Sequence, residues 1–228
     1  MSLQRLPSGP LTLGLELALD NDWSPAGEAA RLRDGRAFGV PDLSEHLNPV
    51  QLADRLGFRA LWLRDVPLYD PHFGDAGQVF EMFTYLGYLA ASTQRALLGT
   101  AAAVLPLRMP WLVRKAAASV QQLSGDRLLL GVASGDRPVE YPLFGIPFEQ
   151  RGEAFRDAVA VLRGDQDARL DAGQALLPMA TPPPLLVAGL AQQRPDWVGQ
   201  HMDAWLAYPG TPEDHRRRVG LWREVAGD

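Results

Sequence analysis

LGTAAAVLPLRMP (residues 98–110) and QLSGDRLLLGVASGDRPVEYPLFGIPFEQRGEAFRDAVAVLR (residues 122–163) alternate two kinds of pattern. Short apolar runs that suit strands, 96–105 and 127–133, are each followed by a longer segment of helical character. Pro106 and Pro110 fence off a helix over 111–123. The second run ends in SGDRP and leads to a helix over 148–163, with Phe155, Ala158, Val159 and Leu162 on one face. Strand, helix, strand, helix in this order is the signature of βαβ units and a parallel sheet.

The same alternation extends both ways. Upstream, LTLGLELAL (11–19) places Leu at every second position, as a strand does, and the Gly-, Pro-, Asp- and Arg-rich stretch 20–41 reads as a long loop. Asn48-Pro49 predicts a helix start with Asn as cap, and that helix stops at Gly57. A second strand covers 59–64, and an apolar helix covers 79–92. Downstream, 185–188 and 204–208 are the fifth and sixth strands, with a helix around Trp197 between them. Residues 1–10 read as a flexible N-terminal arm and 11–228 as one domain. The pattern makes the fold class α/β with a parallel sheet of about six strands; the TIM-type barrel that the resemblance given below implies has eight, in about 250 residues. The barrel is expected to be incomplete, its C-terminal strands missing from the sequence.

Composition narrows the function. The chain has 228 residues, 46% of them hydrophobic and 21% charged, as an ordinary globular protein does. Its net charge of −5 and pI of about 5.4 argue against nucleic acid as a partner. No cysteine is present, which removes thiolate metal sites and thiol nucleophiles and fits a reducing cytoplasm. The start lacks a secretory pattern, and nowhere do about 18 apolar residues run together, so no membrane span is expected. Of the histidines, His46 and His72 fall in loops and His201 and His215 in later helical segments. None has metal-ligand spacing.

Taken with ALWLRDVP (60–67), the two opening stretches resemble the bacterial luciferase-like monooxygenases in order, spacing and local sequence. The likeness covers roughly residues 11–210. RDVPLYDPHFGDAGQVF, LLVAGLAQQ and DRPVEYP further resemble one bacterial subgroup of that family. The resemblance implies a flavin-dependent oxidoreductase or monooxygenase that takes FMN and a small organic substrate. It leaves two alternatives open, a deazaflavin-dependent hydride-transfer enzyme and a flavin-binding protein without turnover. It also implies a homodimer, with the helix over 79–92 as its seam, and a flavin reductase as a further partner.

Independently of any family, Asp65, Ala101, Ser134, Gly135 and Gly189 all fall at or just past strand ends, where a barrel places its ligands. Ala101 and Ala102 leave room for a flat ring, or merely for close packing; the resemblance implies a cis peptide between them against the flavin. Ser134, Gly135 and Arg137 belong to a turn suited to a phosphate, or to an ordinary strand-to-helix turn. Gly189, Gln192 and Gln193 precede a helix, and the resemblance places the flavin phosphate near them. Arg64 and Asp65 are the candidates for a catalytic pair or a structural ion pair, and the catalytic group is otherwise unassigned. Luciferase carries a catalytic histidine where this chain has Val66. It carries a reactive cysteine and a phosphate-binding arginine where this chain has Ala133 and Ser134, so light emission is not implied.

Overall fold

Leucine-rich runs flanked by turn residues become the strands. In the computed structural model, which describes residues 12–17, 24–73 and 80–227, six of them form one curled parallel sheet. They are β1 (Gly14–Leu17), β2 (Ala60–Leu63), β3 (Leu97–Thr100), β5 (Leu128–Ala133), β6 (Leu185–Ala188) and β7 (Ala204–Leu206), side by side in that order. A two-residue strand, β4 (Ala103–Val104), continues β3 past a break and pairs with β5. The result is a half-barrel of parallel strands, the α/β architecture the sequence predicts. The arm expected over residues 1–10 lies outside the described residues.

Between the strands run α1 (Pro25–Arg33), α2 (Leu47–Leu56), α3 (Met82–Ser92), α4 (Pro110–Ser124), α5 (Arg151–Arg163), α6 (Pro195–His201) and α7 (Pro212–Ala226). The strands separate two cores. Leu61, Leu63, Leu98, Leu128 and Leu130 point outward to the helices, where they meet Leu86, Leu89, Val113 and Phe155. Ala60, Leu97, Leu129 and Leu186 point inward, with Trp62, Ala204 and Leu206 packed on them. Each fully buried leucine contributes about 1.5–3 kcal/mol relative to exposure.

Four expectations need correction. The stretch 20–41 is not all loop, because α1 lies within it: Ser24 caps the helix by accepting from Gly27 N, and Pro25 opens it. None of its residues is buried, so it lacks the apolar stripe by which helices are recognised. Asn48 is not a helix cap; α2 starts one residue earlier, and the Asn48 amide donates to Glu45. The strand expected over 96–105 is interrupted at Ala101-Ala102, where the peptide is cis. The helix expected over 148–163 opens with a 3-10 turn, Phe148–Gln150.

The N-terminal ends of the strands are held by two buried charges. Asp54 accepts the amides of Gln94, Arg95 and Ala96 at 3.0, 3.0 and 2.7 Å. Arg127, from the LSGDR turn, donates to the carbonyls of Ala90, Thr93 and Ala96 at 2.8–2.9 Å. It therefore satisfies the carbonyls that α3 leaves open at its C-terminus. That residue of the motif staples the base of the sheet and has no part in the opposite face.

Candidate functional site

Because every strand is parallel, all their C-terminal ends lie along one edge, and the chain leaves each there for its next turn. Register aligns them. Leu63 pairs with Thr100, so Arg64 and Ala101 are neighbours, and the Ala101 amide donates to the Leu63 carbonyl at 2.6 Å. Val132 pairs with Val187, which brings Ser134 beside Gly189. The expected site residues from β2, β3, β5 and β6 are therefore brought to one mouth.

Ala101 is exposed and Ala102 half-buried at the break between β3 and β4. Next to them, the turn after β5 is shaped by packing. Gly135 has φ 78°, and a Cβ there would lie 2.5 Å from the Tyr141 hydroxyl and 2.7 Å from Val104. That hydroxyl donates to the Ser134 carbonyl. Only glycine fits such a place. The amides of Gly135 and Asp136 make no hydrogen bond among the described residues.

The turn after β6 is wound unusually. Gly189, Ala191 and Gln192 have φ of 58°, 47° and 63°, a left-handed run that non-glycine residues rarely adopt. Gln193 holds it: its side-chain amide donates to Gly152 O at 2.8 Å and Ala191 O at 2.9 Å, which ties the turn to α5. Gln193 is thus occupied within the fold, whereas Gln192 is exposed. The amides of Leu190 and Gln192 make no hydrogen bond among the described residues. Two neighbouring turns therefore present unused backbone donors, and left-handed turns of this sort are anion-binding concavities.

Arg64 and Asp65 do not pair with each other. Arg64 pairs with Glu16 on β1. Asp65 is buried and takes Arg108 in a two-pronged contact, Nε at 2.8 Å and Nη2 at 2.6 Å, plus the Val104 amide at 2.9 Å. Arg108 Nη1 also donates to Glu81 at 3.0 Å, the residue that caps α3. Burial opposes ionisation of Glu81, but the Thr84 and Phe83 amides and Arg108 outweigh it and hold its carboxyl below the usual range. The sequence reading missed Arg108, although it stands in the PLR segment just after the break.

Arg137 is buried against the Phe73 ring, its guanidinium carbon 4.4 Å from the centroid. Its Nη1 lies 3.1 Å from Glu140 Oε1 but off the hydrogen-bond line, so among the described residues both atoms, and Arg137 Nε, lack a hydrogen-bond partner. Burial pushes the Glu140 carboxyl up, against the pull of Arg137 and with the help of Asp65 and Asp136. Arg137 is therefore turned into the protein beside the mouth. Of the histidines, His72 is exposed beside Asp70 and His201 stacks on Trp197. Among the described residues no group of acidic or histidine side chains could hold a metal, and no helix is long and apolar enough to cross a membrane.

The residues present fit a flat, anionic cofactor. The fit rests on small residues at the β3 break and on open amides after the next two strands, β5 and β6.

Comparison with known proteins agrees with this architecture. The sequence profile described as luciferase-like monooxygenase matches residues 23–227, and the chain belongs to that family. An uncharacterized protein of Mycobacterium tuberculosis is 27% identical, over 86% of this chain and 77% of its own length. An F420-dependent glucose-6-phosphate dehydrogenase of Beutenbergia cavernae is 36% identical over 49% of this chain and 34% of its own length. Among solved structures, a monooxygenase from Streptomyces bottropensis superposes with a TM-score of 0.71 at 22% identity, over 95% of this chain. The chain spans 66% of that structure's length. Proteins similar to this chain include a monooxygenase constituent solved in complex with FMN, at 13% identity and a TM-score of 0.64, as well as the F420-dependent dehydrogenase.

Proposed function

We propose that this chain forms the cofactor-binding barrel of an FMN-dependent oxidoreductase of the monooxygenase type, acting on a small organic substrate. One observation carries the reading: the turns after β5 and β6 open two residues past the Val132–Val187 pair, and among the described residues they leave amide donors unused. A phosphate suits those donors, with Gly135, Asp136, Leu190 and Gln192 supplying the N–H groups. Ala101 and Ala102 leave the space in front of β3 for a ring. Bound there, the flavin supplies the redox chemistry. Arg108 and Asp65 hold the segment after the β3 break against the end of β2.

A deazaflavin is the second reading, favoured by the F420-dependent relative that is 36% identical over half of this chain. It would use the same donors and transfer hydride without oxygen. We further propose a homodimer that pairs through α3, whose Tyr88 is 43% exposed, with Phe80 beside the helix start 37% exposed. A cytoplasmic location and a flavin reductase as electron donor complete the proposal.

Absorbance titration of the purified chain with FMN and with F420 tests it. A saturable shift in the visible band of one cofactor supports the matching reading. Binding of neither contradicts both. Oxygen uptake driven by NADH and a flavin reductase then separates an oxygen-using enzyme from a carrier.

A further inference from the structure

The inward face of the half-barrel carries two large side chains laid over glycines. Trp62 on β2 is flanked in register by Glu16 on β1 and Gly99 on β3. A Cβ on Gly99 would lie 2.2 Å from Trp62 Cε3, and one on Gly14 would lie 2.7 Å from its Nε1. The indole therefore spans the backbones of both neighbouring strands. From the far side, Leu206 on β7 covers Gly131 of β5, where a Cβ would meet Leu206 Cδ1 at 2.8 Å.

Beneath this pair the interior is closed. Ala60, Leu97, Leu129 and Leu186 are each at most 3% exposed. Above it the described residues leave part of the face uncovered: Trp62 and Leu206 are only partly buried, and Ala101, next after β3, is exposed. Glu16 shares the indole's face of the sheet, and its ion partner Arg64 lies two residues beyond Trp62. An apolar base with a charged pair on one side is a receptor for a molecule with an apolar body and a polar end.

We propose that Trp62 and Leu206 form the floor of the substrate cavity and set its depth, with the Glu16–Arg64 pair as its polar rim. The substrate class is then a short apolar organic molecule bearing one polar group. Its apolar end stops on the indole, which packs directly on the buried layer of Ala60, Leu97, Leu129 and Leu186. The inference deepens the proposed oxidoreductase reading, yet it concerns a surface that needs no cofactor to be present.

The test is calorimetric binding of straight-chain primary alcohols, from butanol to decanol, to the full chain without cofactor. In the wild type, affinity is expected to rise about fourfold per methylene up to one chain length and then level. Trp62→Ala and Leu206→Ala should each move that limit outward by two or more methylenes, and Trp62→Phe by less. Leu206→Ala, at a partly exposed site, keeps the test alive if Trp62→Ala does not fold. An unchanged limit in the folded variants overturns the proposal, as does a wild-type affinity that does not depend on chain length. FMN and F420 titrations of the same proteins report separately on the cofactor reading. A shifted limit without cofactor binding would sink that reading and leave the floor standing.

Discussion

Arg108 grips Asp65 with two nitrogens of one guanidinium, Nε at 2.8 Å and Nη2 at 2.6 Å, so that a side chain from just after β4 locks the end of β2. Asp65 also takes the Val104 amide, and the carboxylate thereby ties the segment that follows the Ala101–Ala102 break to the end of β2. Its side chain is 4% exposed and that of Arg108 is 20% exposed. An ion pair of this burial is costly to break from one side, because the remaining charge is left without compensation.

Arg108→Met is therefore expected to destabilise the fold by about 3 kcal/mol. The double variant Arg108→Met/Asp65→Asn should recover part of the loss, since it buries no unpaired charge. Urea denaturation of the three proteins checks this. Equal stability of the single variant and the wild type would show that the pair contributes nothing.

Asp54 predicts a pH dependence. Burial raises its pKa, but the amides of Ala96, Gln94 and Arg95, with Arg127 nearby, outweigh burial and hold it below the ordinary 3.8. A carboxyl depressed on folding stabilises fully above its unfolded pKa and loses that contribution as pH falls through the folded value. The stability gap between wild type and Asp54→Ala should be about 2 kcal/mol at neutral pH. It should narrow below pH 3.8. Chemical denaturation at several pH values reads it, and a gap that widens in acid would contradict the assignment.

Two glycines should respond in opposite directions. A Cβ on Gly131 would come within 1.8 Å of the Thr100 carbonyl oxygen, whereas one on Gly87, inside α3, would meet nothing within 4 Å. Gly131→Ala is expected to prevent folding or lower the melting temperature sharply. Gly87→Ala should stabilise by about 0.5–1 kcal/mol through helix propensity. Thermal unfolding of both variants tests the register of β3 against β5. A Gly131→Ala protein as stable as the wild type would refute that register.

Much of this was legible in the sequence, and the reason is periodicity. Buried strands such as Leu128–Ala133 are continuous apolar runs, and α5 keeps Phe155, Ala158, Val159 and Leu162 on one face, so local pattern and tertiary burial agree. Pattern failed where burial does not enforce it. α1 has no buried residue and so no stripe to detect. α2 is capped without any side-chain hydrogen bond, which leaves Asn48-Pro49 as a misleading signal.

At the site, strand ends were placed correctly because parallel topology puts them all on one edge. Pairings were not, because charge partners depend on which face a side chain takes. Arg64 and Asp65 are adjacent in sequence but point apart, one to Glu16 and the other to Arg108. The signal for Arg108 was present: it is a basic residue soon after the end of β3 and β4, matching an acidic residue just after the neighbouring strand β2. Gln193 shows the reverse failure, a polar residue in a promising turn whose amide is used up on Gly152 and Ala191.

In the proposed function, the paired turns after β5 and β6 hold the phosphate of a flavin. The most direct measurement is a side-by-side fluorescence titration of the full chain with FMN and riboflavin. If F420 proves the tighter ligand, the same comparison uses it and its phosphate-free chromophore. The phosphate-bearing form should bind at least about 100-fold more tightly, as one to two charge-assisted hydrogen bonds imply. Equal affinities for the two forms, or no binding of any of them, would contradict the account.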